Sequence, residues 1–122
     1  MPSRERVQEM VEKVQGGEML AAFEEFYADD VVMRENVSPP TVGKDANRER
    51  EKAFVGSIVE IHENCADSVV VDGDHVAIRW KAAYTLGDGN RYRFDQVALQ
   101  TWRGDRIVEE TFFYDPTSLV AA

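Results

Sequence analysis

Cysteine is nearly absent from the chain: Cys65 stands alone among 122 residues. No internal disulfide can form, which fits an intracellular, reducing home, and a cytoplasmic location is the expectation. Long apolar runs are missing too. No stretch approaches the roughly 20 residues of a membrane span, and the first residues lack the apolar core of a secretory signal. Positive charge is scarce, with 14 Lys plus Arg against 23 Asp plus Glu and a formal net charge of −9. Phosphate-backbone binding needs concentrated positive charge. The basic residues Arg48, Arg50 and Lys52 instead alternate with Glu49 and Glu51, as on a solvated helix face. Neither nucleic acid nor membrane is an expected partner. Histidine is limited to His62 and His75, with no Cys/His cluster to build a zinc site. No G-x-S-x-G, P-loop or G-x-G-x-x-G stretch occurs, so serine hydrolase, nucleotidase and dinucleotide chemistry lack support. No metal or cofactor is expected.

What remains is the composition of a globular protein, 43% hydrophobic and 30% charged, long enough for one domain over residues 1–122. Ser3 can cap a helix whose apolar Val7, Met10, Val11 and Val14 fall at i, i+3, i+4 and i+7. Gly16-Gly17 ends it. A second helix carries Met19, Leu20, Phe23, Phe26 and Tyr27 on one stripe, with Glu24 and Glu25 off it. The β-prone run Val31-Val32-Met33 and an irregular loop at Ser38-Pro39-Pro40 follow. Asp45 is placed to cap a polar third helix, about 46–55, whose core candidates are Ala46, Ala53 and Phe54.

From Ser57 the period changes. Four β segments, about 57–71, 75–86, 91–103 and 106–114, are separated by short breaks that each contain glycine, as hairpin turns require. Helices followed by a meander give an α+β fold, with the helices on one face of a curved antiparallel sheet. Alternation places Val76, Ile78, Trp80, Ala82 and Tyr84 on one face of their strand. In the next strand, Asp95, Val97 and Leu99 share a face that is expected to look inward. Gln96, Gln100 and Trp102 then form a semi-polar outer face, the expected homodimer surface. The last segment is bulky on both sides, and its parity stays open.

The chain resembles the nuclear transport factor 2-like superfamily, and within it the SnoaL-like polyketide-cyclase branch. The resemblance rests on Phe26-Tyr27-Ala28-Asp29-Asp30-Val31-Val32-Met33 and on Gly43-Lys44-Asp45-Ala46. It continues through Val69-Val70-Val71-Asp72-Gly73-Asp74-His75-Val76-Ala77 and Gly104-Asp105-Arg106-Ile107-Val108-Glu109, ending at Tyr114-Asp115-Pro116. It implies a cystatin-like cone, a strongly curved antiparallel sheet wrapped around three N-terminal helices, with a pocket at one end and commonly a dimer. Reaction type does not follow from such a fold, which hosts isomerases, cyclases, dehydratases, epoxide hydrolases and plain binders.

Three side chains are candidates for proton transfer. Glu35 stands at the spacing from Tyr27-Ala28-Asp29-Asp30 at which steroid-isomerase-like relatives place a general-base Asp. The first-helix position that carries an oxyanion-binding Tyr in those relatives is apolar here, near Val11. Asp95 is the carboxylate on the expected inward face, flanked by Arg91 and Arg93. His62 lies between Ile61 and Glu63, and alternation leaves its direction open. His75 sits in a solvent-facing turn. Epoxide-hydrolase relatives carry an Asp in the last strand where this chain has about Phe112, which argues against that chemistry. Acidic neighbours Glu63 and Asp67 argue against a Cys65 thiolate.

The aromatic residues Tyr27, Phe54, Trp80, Tyr84, Phe112, Phe113 and Tyr114, with Val97 and Leu99, are the expected lining of an apolar pocket. The expected function is therefore binding of an apolar small molecule. It extends to cofactor-independent isomerase, cyclase or dehydratase chemistry on a carbonyl compound. The alternative is a non-catalytic ligand-binding or dimerisation module of the same fold.

Overall fold

The computed structural model describes residues 1–118; the last four residues of the expected 1–122 domain lie outside them. Helix α1, Arg4–Gln15, begins where Ser3 Oγ accepts the Arg6 N–H at 3.0 Å, and it buries Val7, Met10 and Val11. It stops at Gly16, and Gly17 takes the left-handed backbone, φ +85°, that lets the chain turn back. Helix α2, Met19–Phe26, buries Ala22, Phe23 and Phe26. Tyr27, expected on that helix, is already extended and opens strand β1, Tyr27–Glu35. The Pro-rich loop leads into a two-residue strand, β2, Thr41–Val42, paired antiparallel to β1.

Helix α3, Lys44–Ser57, follows Gly43 at φ +93°, not a cap at Asp45. Polar rather than apolar groups anchor it. Ala46 and Ala53 are exposed, whereas Lys44 and Asn47 are buried. Lys44 Nζ donates to the backbone oxygens of Glu24 at 2.9 Å and Tyr27 at 2.8 Å, and Asn47 Nδ2 donates to those of Thr41 and Gly43. Buried donors with charge or amide character satisfy chain ends that water cannot reach. They set α3 against β1.

Strands β3, Ile58–Asp72, β4, His75–Leu86, β5, Arg91–Arg103, and β6, Arg106–Phe113, form the antiparallel meander expected for residues 57–114. Strand β1 joins its far edge parallel to β6, so the order is β2-β1-β6-β5-β4-β3. Register shifts at three places in β3 and at Thr101/Trp102 mark bulges, which add local twist and bend. The result is a curled, unclosed sheet holding three helices in its concave side.

Burial decides the parity of β5, and it is the reverse of the expectation. Gln96, Ala98, Gln100 and Trp102 look inward; Asp95, Val97 and Leu99 look outward, the last two 39% and 43% exposed. Pairing explains it. Ile78 faces Ala98, Trp80 faces Gln96, and Val76 faces Gln100 across β4 and β5, and directly opposed residues share a face. Because Val76, Ile78 and Trp80 are buried against the helices, their partners are carried inward with them.

Candidate functional site

Between the helices and the inner sheet face lies a cavity of about 200 Å³. Its apolar wall comes from Met10 and Val14 of α1, Phe23 of α2, Phe54 of α3, Trp80 and Tyr84 of β4, Phe94 of β5 and Phe112 of β6. The rings of Phe54, Tyr84 and Phe94 stand mutually tilted or edge-on, with centroids 5.7 to 6.3 Å apart. That spacing is ordinary for aromatic clusters. Into this apolar wall project four charged side chains, Glu35, Arg50, Glu51 and Glu110, with Tyr27, Gln96 and Gln100 beside them.

Glu110 is the most deeply placed, 2% exposed on β6. Its Oε1 accepts the Tyr27 hydroxyl, and its Oε2 accepts Gln100 Nε2 at 2.6 Å. Gln100 Oε1 in turn accepts the Trp102 indole N–H at 3.0 Å, which fixes the amide with its donor toward Glu110. Burial pushes the carboxyl up from 4.5 to about 7, against the pull of the Gln100 and Tyr27 hydrogen bonds and helped by the charge of Glu51. Burial and the Glu110 charge hold the Tyr27 hydroxyl well above its ordinary value. Glu110 can therefore give or take a proton near neutral pH. When its carboxyl is ionised, Tyr27 donates to it. When the carboxyl is protonated at that oxygen, it donates to Tyr27, whose own O–H is released.

Glu51 on α3 is half-buried. Burial raises its carboxyl, Arg50 lowers it and Glu35 raises it further. Glu35, at the end of β1, lies 3.8 Å from the Arg50 guanidinium. Tyr84 is pushed up to about 12 by burial and the Glu51 charge. Among the described residues, no three His, Cys, Asp or Glu side chains converge as a metal site.

The cavity brings together Glu35, Tyr27, Phe54, Trp80, Tyr84 and Phe112. Tyr114 stands next to it, its ring 6.5 Å from that of Phe94. Five expected site residues lie elsewhere. Asp95 is on the outer face in a bidentate pair with Arg79, at 3.0 and 2.8 Å, which holds its carboxyl below the usual range. Val97 and Leu99 share that outer face, and Phe113 is exposed. His62 bonds Thr85 Oγ1 at 2.7 Å, on the side of β4 opposite Tyr84. Arg50 and Glu51 on α3, and Phe94, Gln96, Gln100 and Glu110 on the strands, are further cavity residues that strand alternation alone does not find. The readable signal for Glu110 is its cross-strand partner, because Gln100 pairs with Glu110 and both must share a face.

A curled sheet over three helices with an aromatic, carboxylate-bearing cavity at its concave side defines an α+β fold of the nuclear transport factor 2 type. Within that class the chain belongs to the SnoaL-like domain family, which it matches over residues 7–110. It is similar to a Mesorhizobium loti protein assigned by inference as a SnoaL-like polyketide cyclase. The two share 29% identity over 93% of this chain and 100% of that one, with a TM-score of 0.82. A Catenulispora acidiphila protein of ketosteroid isomerase-like fold, crystallised with trimethylamine, is 17% identical over 98% of this chain and 92% of its own, with a TM-score of 0.78. A Xanthomonas campestris protein likewise assigned as a polyketide cyclase is 19% identical over 92% and 89%, with a TM-score of 0.74. The latter two likenesses show the fold alone. A search of the curated proteins finds no match. Among the described residues no helix is long and apolar enough to cross a membrane.

Proposed function

We propose that this SnoaL-like protein binds a small carbonyl compound in its cavity and moves a proton on it, as a cofactor-independent isomerase, cyclase or dehydratase would. One observation carries the reading: Glu110, a carboxyl poised near neutrality, sits buried in an aromatic cavity with Tyr27 as its hydroxyl partner. Glu110 is the base that removes an α-proton and the acid that returns it. Tyr27 releases its O–H as Glu110 takes up the proton, and so offers a donor to the oxygen where charge develops. Glu35 and Arg50 stand as a charged pair within the same lining, where they orient the ligand's polar end. Asp95 and His62 have no part in this chemistry, because neither reaches the cavity.

The volume bounds the substrate. About 200 Å³ is below the usual range for the pockets of drug-sized ligands. A single ring with a short substituent is the proposed size class. A second reading, a binding module without turnover, is favoured by the saturation of Glu110, both of whose oxygens already have donors.

Deuterium exchange into the α-position of cyclohexanone, followed by proton NMR, separates the two. An enzyme speeds the exchange, and Glu110→Gln cuts it by about 10²–10⁴-fold with ligand binding retained. Carbon-detected NMR should also show one carboxyl titrating near 7 that is missing in the variant. No exchange above background with the native protein, or a Glu110 midpoint below 5, would overturn the catalytic reading.

We further propose a homodimer through the outer sheet face. Its residues are not Gln96, Gln100 and Trp102, which are internal, but Val70, Val97, Leu99 and Phe113. Leu99 and Val70 flank Ala77, and Val97 pairs with Phe113, so the four side chains adjoin across strands β3 to β6. Light scattering should read twice 13.8 kDa for the native chain and 13.8 kDa for Leu99→Asp, which puts a charge into the patch. A monomeric native chain at micromolar concentration would sink the idea.

A further inference from the structure

Most polar groups in the cavity are already engaged. Glu110 has two donors, Gln100 bridges Trp102 and Glu110, and Arg50 stands against Glu35. Glu51 is different. Its carboxylate lines the cavity, yet no hydrogen bond or ion pair reaches it among the described residues, and the Tyr84 hydroxyl beside it is likewise without a protein partner. A half-buried carboxylate without a donor is only partly compensated, here by the charge of Arg50, and a cation placed directly against it adds what that more distant charge does not supply.

The surroundings select the counter-charge. Glu51 and Phe54 are three residues apart on α3 and so share a helix face. Phe54 meets Tyr84 and Phe94 in a three-ring cluster on the same cavity wall. Aromatic rings attract cations through their quadrupoles, most strongly where water is excluded. The cavity's formal charge points the same way, with Glu35, Glu51 and Glu110 against Arg50 alone. A carboxylate ligand would meet three acids. A neutral hydroxyl would fill Glu51's acceptor sites but leave its charge uncancelled.

We propose that the cavity takes a small organic ammonium compound, its cationic nitrogen held between the Glu51 carboxylate and the rings of Phe54, Tyr84 and Phe94. This rests on the reading above that the cavity binds a small molecule, and it names what the substrate carries besides its carbonyl. Glu51 determines which ligand enters; Glu110 acts at the other polar group.

Calorimetric titration with three compounds of one size tests this: benzylammonium, benzyl alcohol and benzoate, at pH 7.5. Benzylammonium should bind at least about tenfold tighter than benzyl alcohol, with benzoate weakest. In Glu51→Gln the preference for benzylammonium should vanish while benzyl alcohol keeps its affinity to within about twofold. Glu51→Asp should retain part of the preference, and circular dichroism on both variants checks that they fold. Equal affinity for the alcohol, tightest binding of benzoate, equal weakening of both ligands in Glu51→Gln, or no binding of any of the three would overturn the proposal. The two readings fail separately. Loss of the ammonium preference with ketone exchange intact removes only this one. An ammonium preference without exchange removes only the proton-transfer reading.

Discussion

Replacing Glu110 with glutamine should yield a protein whose stability falls less steeply between pH 5 and pH 8 than that of the native chain. The folded carboxyl is raised to about 7 from 4.5, so folding favours its protonated form. That contribution is fully present below the unfolded value and is lost as pH rises through the folded one. The gap corresponds to about 3 kcal/mol of native stability lost across the window. Tyr27, Gln100 and Glu51 are the polar groups that face Glu110, and the amide of the variant cannot titrate. Glu51, itself raised, leaves a smaller slope of the same sign in the variant. The exposed pairs act elsewhere: Asp30 and Asp95 are lowered, first by their arginine hydrogen bonds, so their contribution is lost only as pH falls into the acid range. Urea unfolding of both proteins at pH 5 and pH 8 measures the difference of slopes. The variant also carries a constant offset, since the carboxamide puts an NH2 donor where one of the two oxygens that accept from Tyr27 and Gln100 stood. Parallel slopes in the two proteins would contradict the assignment.

Trp102→Ala should be the most damaging single change in the inner sheet layer, at about 3–5 kcal/mol by urea unfolding. Trp102 is 2% exposed and packs in the main core cluster with Ile78, Ala98 and Ile107. Its removal leaves a cavity that strands on both sides are too rigid to close. Trp102→Phe separates packing from polarity. It keeps most of the ring but removes the indole donor, leaving Gln100 Oε1 buried without a partner, a loss of about 1–3 kcal/mol. It also frees the Gln100 amide to turn, so the Glu110 carboxyl should titrate higher in Trp102→Phe than in the native protein. A Trp102→Phe protein with native stability and an unmoved Glu110 titration would show that the indole does not orient Gln100.

The core, the polar chain behind Glu110 and the proposed chemistry are thus one mechanical unit. Trp102 both fills the inner layer and aims Gln100, and Gln100 holds the carboxylate that faces the cavity. Lys44 and Asn47 do the corresponding work on the helix side, fixing α3 and with it Glu51 and Phe54. A polar α3 lacking an apolar stripe is docked by buried donors on backbone oxygens. Periodicity cannot reveal that kind of anchoring, since it reads only hydrophobic faces.

By itself the sequence determined the order of elements, the helix start at Ser3 and its stop at Gly16-Gly17, the glycine-bearing turns, and the face of β4 that bears Val76, Ile78 and Trp80. These are local matters, set by backbone permission and by a period of 3.6 or 2 within one segment. It also marked Glu35, Tyr27, Phe54, Trp80, Tyr84 and Phe112, all of which the fold brings to one cavity. Which face of β5 looks inward is a property of the assembled sheet. Both faces of that strand carry apolar and polar residues, so composition points equally well either way. The pairing of Ile78 with Ala98 and of Trp80 with Gln96 settles the choice, because a residue takes the side of the one directly across from it. The same rule, carried one strand further through Gln100 to Glu110, buries the carboxylate that alternation left unassigned and turns Asp95 out to Arg79. Parity within a strand is a local property, but which parity is buried belongs to the sheet, and a one-residue change of register exchanges the cavity for the surface.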